Sequence, residues 1–202
     1  MKIIFDLDGT LICSKKRLHE LFLDLLESGN IEYLAYWNYK FSGSNNQDIL
    51  RDHFGYSTTQ INIFLRNWME KIETDYYLDM DTIIPGAIKA LDKYSKNNEL
   101  YVCTARQSVA QVHKQLKRLG IFRFFRGIFV TEQKASKDEI LNKSDILFTK
   151  EDWLLGDTGH DITSGKKIGT QTCAVLSGFM SEASLRTYSP DLIIKNITLF
   201  SD

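Results

Sequence analysis

The chain of 202 residues is long enough for one domain of ordinary size with a smaller inserted segment. Hydrophobic residues make up 43% of the chain and charged residues 25%, a balance typical of a globular protein and not of a disordered one. The formal net charge of -1 gives no indication of a nucleic-acid or membrane partner, and no apolar run approaches the ~18 residues of a membrane span.

The cysteines and the first residues favour a cytoplasmic protein. Cys13, Cys103 and Cys173 are widely spaced and odd in number, which fits neither a zinc site nor the disulfide framework of a secreted domain. We therefore expect reduced, partly buried thiols. Only a short apolar stretch, residues 3–5, precedes Asp6, so no signal peptide is expected.

The chain opens with a short apolar strand that ends in two carboxylates. Residues 3–5 are strand formers, and the sequence Asp6-Leu7-Asp8-Gly9-Thr10 follows at once. Gly9 allows a turn that brings backbone amides close to an anionic ligand. Two acids this close to a strand end are costly unless they bind a cation or transfer protons. The alternative is a plain hairpin, since Asp-Gly is a common turn sequence.

A helical segment is predicted next, at about 14–81. A helix over 15–27 follows from the helical spacing of its leucines, and no buried parallel strand is indicated between Ile31 and Met80. The aromatic residues of this region fill a helical bundle or, alternatively, line a ligand pocket. We therefore predict an α-helical domain at 14–81, inserted into a core domain made of 1–13 and 82–202.

Strands and helices alternate after Pro85-Gly86, which predicts an α/β fold with a Rossmann-like parallel sheet. The later strands are predicted at 100–103, 127–130, 152–155, 171–176 and 191–194. The helices between them are predicted at 87–96, at 108–119, from near Ser136, and at about 162–167.

Polar side chains follow four of these elements: Asp6 and Asp8, Thr104, Lys137 or Lys134, and Asp157 with Asp161. Because the carboxyl ends of parallel strands emerge at one edge of a sheet, we expect these groups to converge. Carboxylates suit a hard cation such as Mg²⁺, while a hydroxyl, a lysine and backbone amides suit phosphoryl oxygens. The set predicts phosphoryl transfer through an aspartyl-phosphate.

These motifs, in this order, resemble the four motifs of the haloacid dehalogenase superfamily. The acidic loop Gly156-Asp157-Thr158-Gly159-His160-Asp161 resembles the last of them. The helical insertion directly after the first motif resembles the subgroup with an α-helical cap, to which phosphoglycolate phosphatases belong. Each motif alone is weak, and the ordered set, which covers nearly the whole chain, is specific.

The resemblance implies a role for each residue in a Mg²⁺-dependent phosphatase. Asp6 is the nucleophile and a metal ligand. Asp8 protonates the leaving alkoxide and then activates water, and its main-chain carbonyl also binds the metal. Thr104 hydrogen-bonds the phosphoryl oxygens, and the lysine neutralises charge on the phosphoryl group and on Asp6. The implied metal ligands are Asp6, Asp8, Asp157 and Asp161, the last of them supporting the ion through water or hydrogen bonds.

Several further residues are candidate substrate contacts, and each has an alternative role that the sequence leaves open. Lys137 is favoured over Lys134 as the site lysine, and a solvated surface lysine is the alternative for either. Arg106 binds a second anionic group of the substrate, or else caps a helix or forms a salt bridge. Gly43 lies in a loop that resembles the substrate-contacting loop of the cap, and a plain interhelical turn is the alternative. The candidate substrate-binding residues are Gly9, Thr10, Gly43, Ala105, Arg106 and Lys134.

Three functions remain open on the sequence alone. The main hypothesis is a phosphatase acting on a small, soluble phosphate monoester. A phosphomutase would use the same acids with a cap that excludes water. A binding module without catalysis is the third, although the intact acids argue against it. The sequence indicates neither the particular substrate nor the oligomeric state.

Overall fold

The computed structural model describes residues 1–201 of the chain, in which strands and helices alternate except for one all-helical stretch. The strands are β1 (Lys2–Phe5), β2 (Ile12–Cys13), β3 (Thr82–Ile83), β4 (Glu99–Thr104), β5 (Phe125–Val130), β6 (Trp153–Gly156), β7 (Gln171–Val175) and β8 (Leu192–Ile194). The helices are α1 (Lys15–Leu25), α2 (Tyr33–Phe41), α3 (Asn46–Asp52), α4 (Thr58–Lys71), α5 (Asp75–Leu78), α6 (Ala87–Tyr94), α7 (Val109–Arg118), α8 (Lys137–Asn142), α9 (Gly159–Lys167) and α10 (Glu182–Arg186), with short 3-10 helices at Phe122–Phe124 and Ile197–Leu199.

A six-stranded parallel sheet forms the centre of the fold, in the order β5-β4-β1-β6-β7-β8. The first strand lies in the middle, where Ile4 pairs with Tyr101 on one side and with Leu154 on the other. A strand covered on both faces needs a continuous apolar run, which explains the wholly buried sequence of residues 3–5. The sheet confirms the predicted α/β, Rossmann-like fold.

Side chains that alternate along β1 enter two different cores. Ile3 and Phe5 face one cluster, which includes Leu91 of α6 and Leu116 of α7. Ile4 faces the other, together with residues of α8, β6 and the end of α9. Helices therefore cover both faces of the sheet, and its carboxyl edge is left for polar groups.

The helices α1 to α5 form a separate segment between β2 and β3, with a hydrophobic cluster of their own. Phe22, Tyr36 and Trp37 lie in its interior with Phe64 and Trp68. Of the two roles left open for the aromatic residues, packing inside the bundle is the one observed. The division of the chain into two domains stays a prediction, with both of its proposed boundaries at or beside β2 and β3.

A two-stranded antiparallel ribbon joins the two ends of this segment and was not predicted from the sequence. Ile12 pairs with Ile83, and Cys13 with Thr82. Since each strand has two residues, neither shows the alternation from which a strand can be recognised. None of the helices within residues 1–201 has both the length and the apolar character needed to cross a lipid bilayer.

Candidate active site

The carboxyl ends of neighbouring strands place polar side chains around one cavity of about 530 Å³. Asp6 follows β1, Thr104 ends β4, and Asp157 follows β6, and all three line this cavity. Lys137 and Asp161 enter it from the first turns of α8 and α9. Residues far apart in sequence therefore meet where open α/β sheets bind ligands.

Three carboxylates and one lysine form the centre of the cavity. Asp6, Asp157 and Asp161 each offer an oxygen within 4.8 Å of the others, and all three residues are buried. The Lys137 Nζ donates to Oδ1 of Asp6 and to Oδ1 of Asp161. One ammonium faces three carboxylates, so an excess of negative charge is buried here.

The pKa values of the cluster follow from this imbalance. Burial raises the pKa of Asp6 to about 7, although Lys137 acts in the opposite direction. Burial, with the nearby Asp6 and Asp161 carboxylates, also raises the pKa of Asp157 well above its usual range. Burial would lower the pKa of Lys137, but its two carboxylate partners outweigh that effect and raise it. The cluster therefore fits a hard divalent cation, since its donors are all oxygen and its excess charge is negative.

Hydrogen bonds fix the carboxylates of Asp157 and Asp161. Asp157 Oδ2 accepts the backbone N–H of Phe179 at 2.8 Å, and Oδ1 accepts the Thr10 hydroxyl at 3.3 Å. Asp161 Oδ2 accepts the Thr158 N–H at 3.0 Å and the Thr158 hydroxyl at 2.7 Å. Thr158 is the N-cap residue of α9, so these two bonds orient the Asp161 carboxylate at the start of that helix.

Gly9 lies against Asp157 in a conformation that a side chain would prevent. Its φ is +86°, in the left-handed region, and a Cβ built on it would come within 2.5 Å of Asp157 Oδ2. Gly9 and Thr10 lie against Asp157 and are not among the residues that line the cavity, so their substrate-binding role stays a prediction.

Asp8 is held by two arginines on the side of the cavity nearer the helical segment. Its Oδ1 accepts from Arg17 Nη2 at 2.5 Å, and its Oδ2 accepts from Arg106 Nε at 2.5 Å. Burial acts to raise the pKa of Asp8, but the guanidiniums of Arg106 and Arg17 outweigh it and hold this pKa well below its usual range. Asp8 is therefore ionised at neutral pH in this arrangement.

Asp81 completes this network from the second connection between the segment and the sheet. It accepts from Arg17 Nε at 3.0 Å and from Gln115 Nε2 at 2.8 Å. Burial raises the pKa of Asp81 to about 6 despite Arg17. The sequence analysis missed Arg17, Asp81 and Gln115. A usable signal existed for the first, because Arg17 precedes the buried Leu21 by four residues and so shares its helix face.

The remaining candidate residues divide into those that line the cavity and those that do not. Thr104 is buried, Ala105 is exposed, and both line it together with Arg106. Lys134 points elsewhere: its side chain is 76% exposed and lies 3.5 Å from Glu132. Gly43 is exposed in the loop between α2 and α3 and does not line this cavity, so its substrate-binding role stays a prediction.

Known proteins similar to this chain cover almost its whole length. The chain is 28% identical over 206 residues to the phosphoglycolate phosphatase of Aquifex aeolicus, covering 95% of this chain and 91% of that protein. It is 26% identical over 203 residues to the pyrophosphatase PpaX of Oceanobacillus iheyensis, covering 96% and 92%. The solved structure of a haloacid dehalogenase-like family hydrolase from Streptococcus pneumoniae superimposes with a TM-score of 0.78 at 25% identity, covering 98% of this chain and 94% of that one.

The family assignment rests on a match that covers most of the chain and every strand of the sheet except the last. The family model described as haloacid dehalogenase-like hydrolase matches residues 3–175, which span the sheet from β1 to β7 and the whole helical segment. Its match contains Asp6, Thr104, Lys137 and Asp157 in the order that the sequence analysis used. This chain belongs to the haloacid dehalogenase-like hydrolase family.

Proposed function

We propose that the enzyme is a Mg²⁺-dependent phosphatase that hydrolyses a small phosphate monoester through an aspartyl-phosphate on Asp6. The supporting observation is the buried cluster of Asp6, Asp157 and Asp161 with Lys137 between two of its carboxylates. Two relatives at 26% and 28% identity are named for the hydrolysis of phosphate compounds, which supports attack at phosphorus.

In the first step, a carboxylate oxygen of Asp6 bonds to phosphorus as the bond from phosphorus to the leaving oxygen breaks. The leaving oxygen takes a proton from Asp8. In the second step, water attacks the phosphorus of the aspartyl-phosphate and gives a proton to Asp8. The bond between Asp6 and phosphorus breaks, and inorganic phosphate is released.

Arg17 and Arg106 favour the role of Asp8 as a base in the second step and oppose its role as an acid in the first. With Arg17 and Arg106 in place, Asp8 is ionised and ready to accept a proton from water. To act as an acid in the first step, Asp8 must first gain a proton from solvent, which requires at least one of these ion pairs to break when substrate binds. Thr104, buried at the end of β4, donates its hydroxyl to a phosphoryl oxygen in this scheme.

The metal ligands in this proposal are Asp6, Asp157 and Asp161 together with the main-chain carbonyl of Asp8. The donor set and its uncompensated charge fit Mg²⁺. When bound, the ion would stabilise negative charge on the phosphoryl oxygens as a Lewis acid. We assign the site lysine to Lys137, because its ammonium contacts Asp6 whereas Lys134 pairs with Glu132 at the surface.

We further propose that the helical segment acts as a cap over the cavity. The residues of 14–81 that line it are Ser14, Arg17, Leu18, Ile72 and Glu73. A cavity of about 530 Å³ has the size of an ordinary small-molecule site, so a small ester is the expected substrate. Three free cysteines are compatible with action in the cytoplasm.

The test is release of inorganic phosphate from p-nitrophenyl phosphate and from a panel of small phosphate esters, with Mg²⁺ and with EDTA. We expect activity only with the metal. Asp6→Asn should reduce kcat at least about a thousandfold, because it removes the nucleophile. Lys137→Met should reduce kcat about a hundredfold, and the matched surface variant Lys134→Met should retain the wild-type rate.

Two results would contradict the proposal. Equal rates for Asp6→Asn and the wild type would remove Asp6 from the chemistry. Transfer of the phosphoryl group to a sugar hydroxyl, with little phosphate released to water, would identify a phosphomutase instead.

A further inference from the structure

Glu73 of the helical segment forms two hydrogen bonds to the backbone of the loop that joins β4 to α7 (residues 105–108). Its Oε1 accepts the N–H of Gln107 at 2.6 Å, and its Oε2 accepts the N–H of Ser108 at 3.0 Å. Ser108 is the N-cap residue of α7, and the start of a helix favours a negative charge. Both oxygens of the carboxylate are therefore used in one contact between the segment and the loop.

The same loop forms part of the wall of the cavity. Thr104, which precedes it, and Arg106 within it both line the cavity, and Glu73 lines it from the side of the segment. Arg106 Nε also donates to Asp8. The carboxylate of Glu73 thus joins the helical segment to the loop that carries residues of the proposed chemistry.

Other contacts between the segment and the sheet are less suited to hold the segment in place. Several lie within four residues of β2 or β3, where the chain passes between the two parts, namely those of Arg17, Leu78 and Asp81. Contacts at these connections lie where the segment would pivot. The ion pair of Asp75 with Lys114 has side chains 58% and 61% exposed and contributes little.

We propose that Glu73 is a latch, whose bonds to the N–H groups of Gln107 and Ser108 hold the helical segment closed over the cavity, and that the segment opens by releasing them. The inference rests on the proposed role of the segment as a cap and names the contact that controls it. Release leaves the carboxylate and both N–H groups free to bond to water, so opening is reversible at moderate cost. Closure excludes water from the cavity.

Trp37 provides an independent measure of opening. It is 3% exposed and stacks on Phe179 of the loop after β7, so opening separates the two rings and exposes the indole. The chain has three tryptophans, and the double variant Trp68→Phe/Trp153→Phe leaves Trp37 as the only one. We call this double variant the single-tryptophan protein.

Amide hydrogen exchange and fluorescence quenching test the latch without requiring turnover. Exchange rates of individual amides are measured by NMR in the full chain as wild type, Glu73→Gln and Glu70→Gln. Glu70 is an exposed residue of α4 and serves as the matched control. Acrylamide quenching of Trp37 is measured for the same two substitutions in the single-tryptophan protein, and thermal unfolding is measured for every variant.

We expect Glu73→Gln to raise the exchange rates of the Gln107 and Ser108 amides about tenfold, because their charged acceptor is gone. The amide of Gln111, which donates to Ser108 Oγ at 3.2 Å in the first turn of α7, should keep its wild-type rate. The quenching constant of Trp37 should rise about twofold, since the segment opens more often. Glu70→Gln should behave as the wild type in both measurements.

Unchanged exchange at Gln107 and Ser108 in Glu73→Gln would overturn the inference. Faster exchange there with unchanged quenching of Trp37 would also overturn it, because Glu73 would then act only on the loop. Equally faster exchange at Gln111 would overturn it as well, since that pattern is unwinding of α7. A protein that shows the expected changes but hydrolyses no phosphate ester would contradict the proposed function alone.

Discussion

Lys137 supplies a single positive charge against three buried carboxylates, and the chemistry proposed for Asp6 depends on that imbalance. Without a cation, burial favours a protonated Asp6, whose pKa is raised to about 7. A protonated carboxyl group is a poor nucleophile, so a divalent ion would prepare Asp6 for attack as well as neutralise the phosphoryl group. The residue that must attack as an anion is therefore one whose ionised form is disfavoured in the metal-free protein.

The identity of this lysine shows what a single sequence does and does not determine. Lys134 and Lys137 are one helical turn apart, and composition does not separate them. The structure does, because Ser136 and Glu139 form a capping box that starts α8 at Lys137. The pattern Ser-x-x-Glu is readable in the sequence and agrees with the helix predicted from near Ser136, which puts Lys137 in the first helical turn and Lys134 in the preceding loop.

The raised pKa of Asp6 predicts that the metal-free protein loses stability as pH rises. Its pKa is about 7 when folded and 3.8 in a model peptide, so between these values the folded state binds more protons than the unfolded state. The contribution of Asp6 to stability is thus complete below about pH 4 and is lost as the pH rises through 7, with a loss of about 2 kcal/mol between pH 5 and pH 7. The measurement is chemical denaturation in EDTA across this range.

Asp6→Asn is the matched variant for this titration, since it keeps the shape and removes the charge. It should show a flatter pH profile and be more stable than the wild type at pH 8. Mg²⁺ should stabilise the wild type more than Asp6→Asn at that pH. A wild-type profile in EDTA that rises from pH 5 to pH 7 would contradict the pKa assigned to Asp6.

At the scale of whole elements, a buried ionic network connects α1, the end of β4 and the segment's return connection. Arg17 lies on α1, Arg106 follows β4, and Asp81 precedes β3. Arg17 and Asp81 are nearly inaccessible, with side chains 2% and 0% exposed. We expect these buried charges to hold both connections between the helical segment and the sheet in place. A different path for either connection would leave Arg17 or Asp81 buried without its partner.

The regular elements were largely predictable, whereas their ends depended on tertiary contacts. The strand that ends at Asp6 was recognisable because a central parallel strand must be apolar on both faces. The start of α9 was predicted near Ile162 but lies at Gly159, because Thr158 and Asp161 cap the helix there. The ribbon of β2 and β3 was missed, since its two strands pair only when the helical segment returns to the sheet.

Breaking the network on one side should destabilise the protein strongly. Arg17→Met leaves Asp8 and Asp81 to a single guanidinium, and we expect a loss of about 3 kcal/mol in the free energy of unfolding. Urea denaturation measures it. The control is Arg51→Met, since Arg51 forms only exposed ion pairs with Asp48 and Asp52 and should change stability by less than about 0.5 kcal/mol.

The double variant Arg17→Met/Asp81→Leu tests whether the loss of stability comes from the missing ion pair or from a buried charge left without its partner. The desolvation of two buried charges largely offsets their attraction in most buried ion pairs. If that holds here, the double variant should lose less stability than the sum of its single variants. Additive losses would show that Arg17 and Asp81 do not act as a pair.

For the molecule as a whole, the separate core of the helical segment meets the sheet beside the carboxylate cluster. Trp37 in α2 stacks on Phe179 of the loop after β7, with ring centroids 5.6 Å apart and an interplanar angle of 16°. The backbone N–H of the same Phe179 donates to Asp157 at 2.8 Å. One residue therefore contacts both the proposed cap and a proposed metal ligand, and we expect the position of the cap to affect the geometry of the metal site.

This link predicts an effect on catalysis from Phe179, which lines the cavity but takes no part in the proposed chemistry. Phe179→Leu keeps the backbone donor to Asp157 but removes the aromatic stack on Trp37, which is worth about 1 kcal/mol. We expect kcat/KM for a small phosphate ester to fall about fivefold, with the free energy of unfolding changed by less than half of what Arg17→Met costs. The control is Tyr76→Leu, which changes an aromatic residue of the same segment that is 67% exposed and should leave kcat/KM unchanged.

Because the effect is assigned to the stack, Trp37→Leu should lower kcat/KM similarly, and combining it with Phe179→Leu should add little. A fully additive double variant would mean that the two rings act on the site by separate routes.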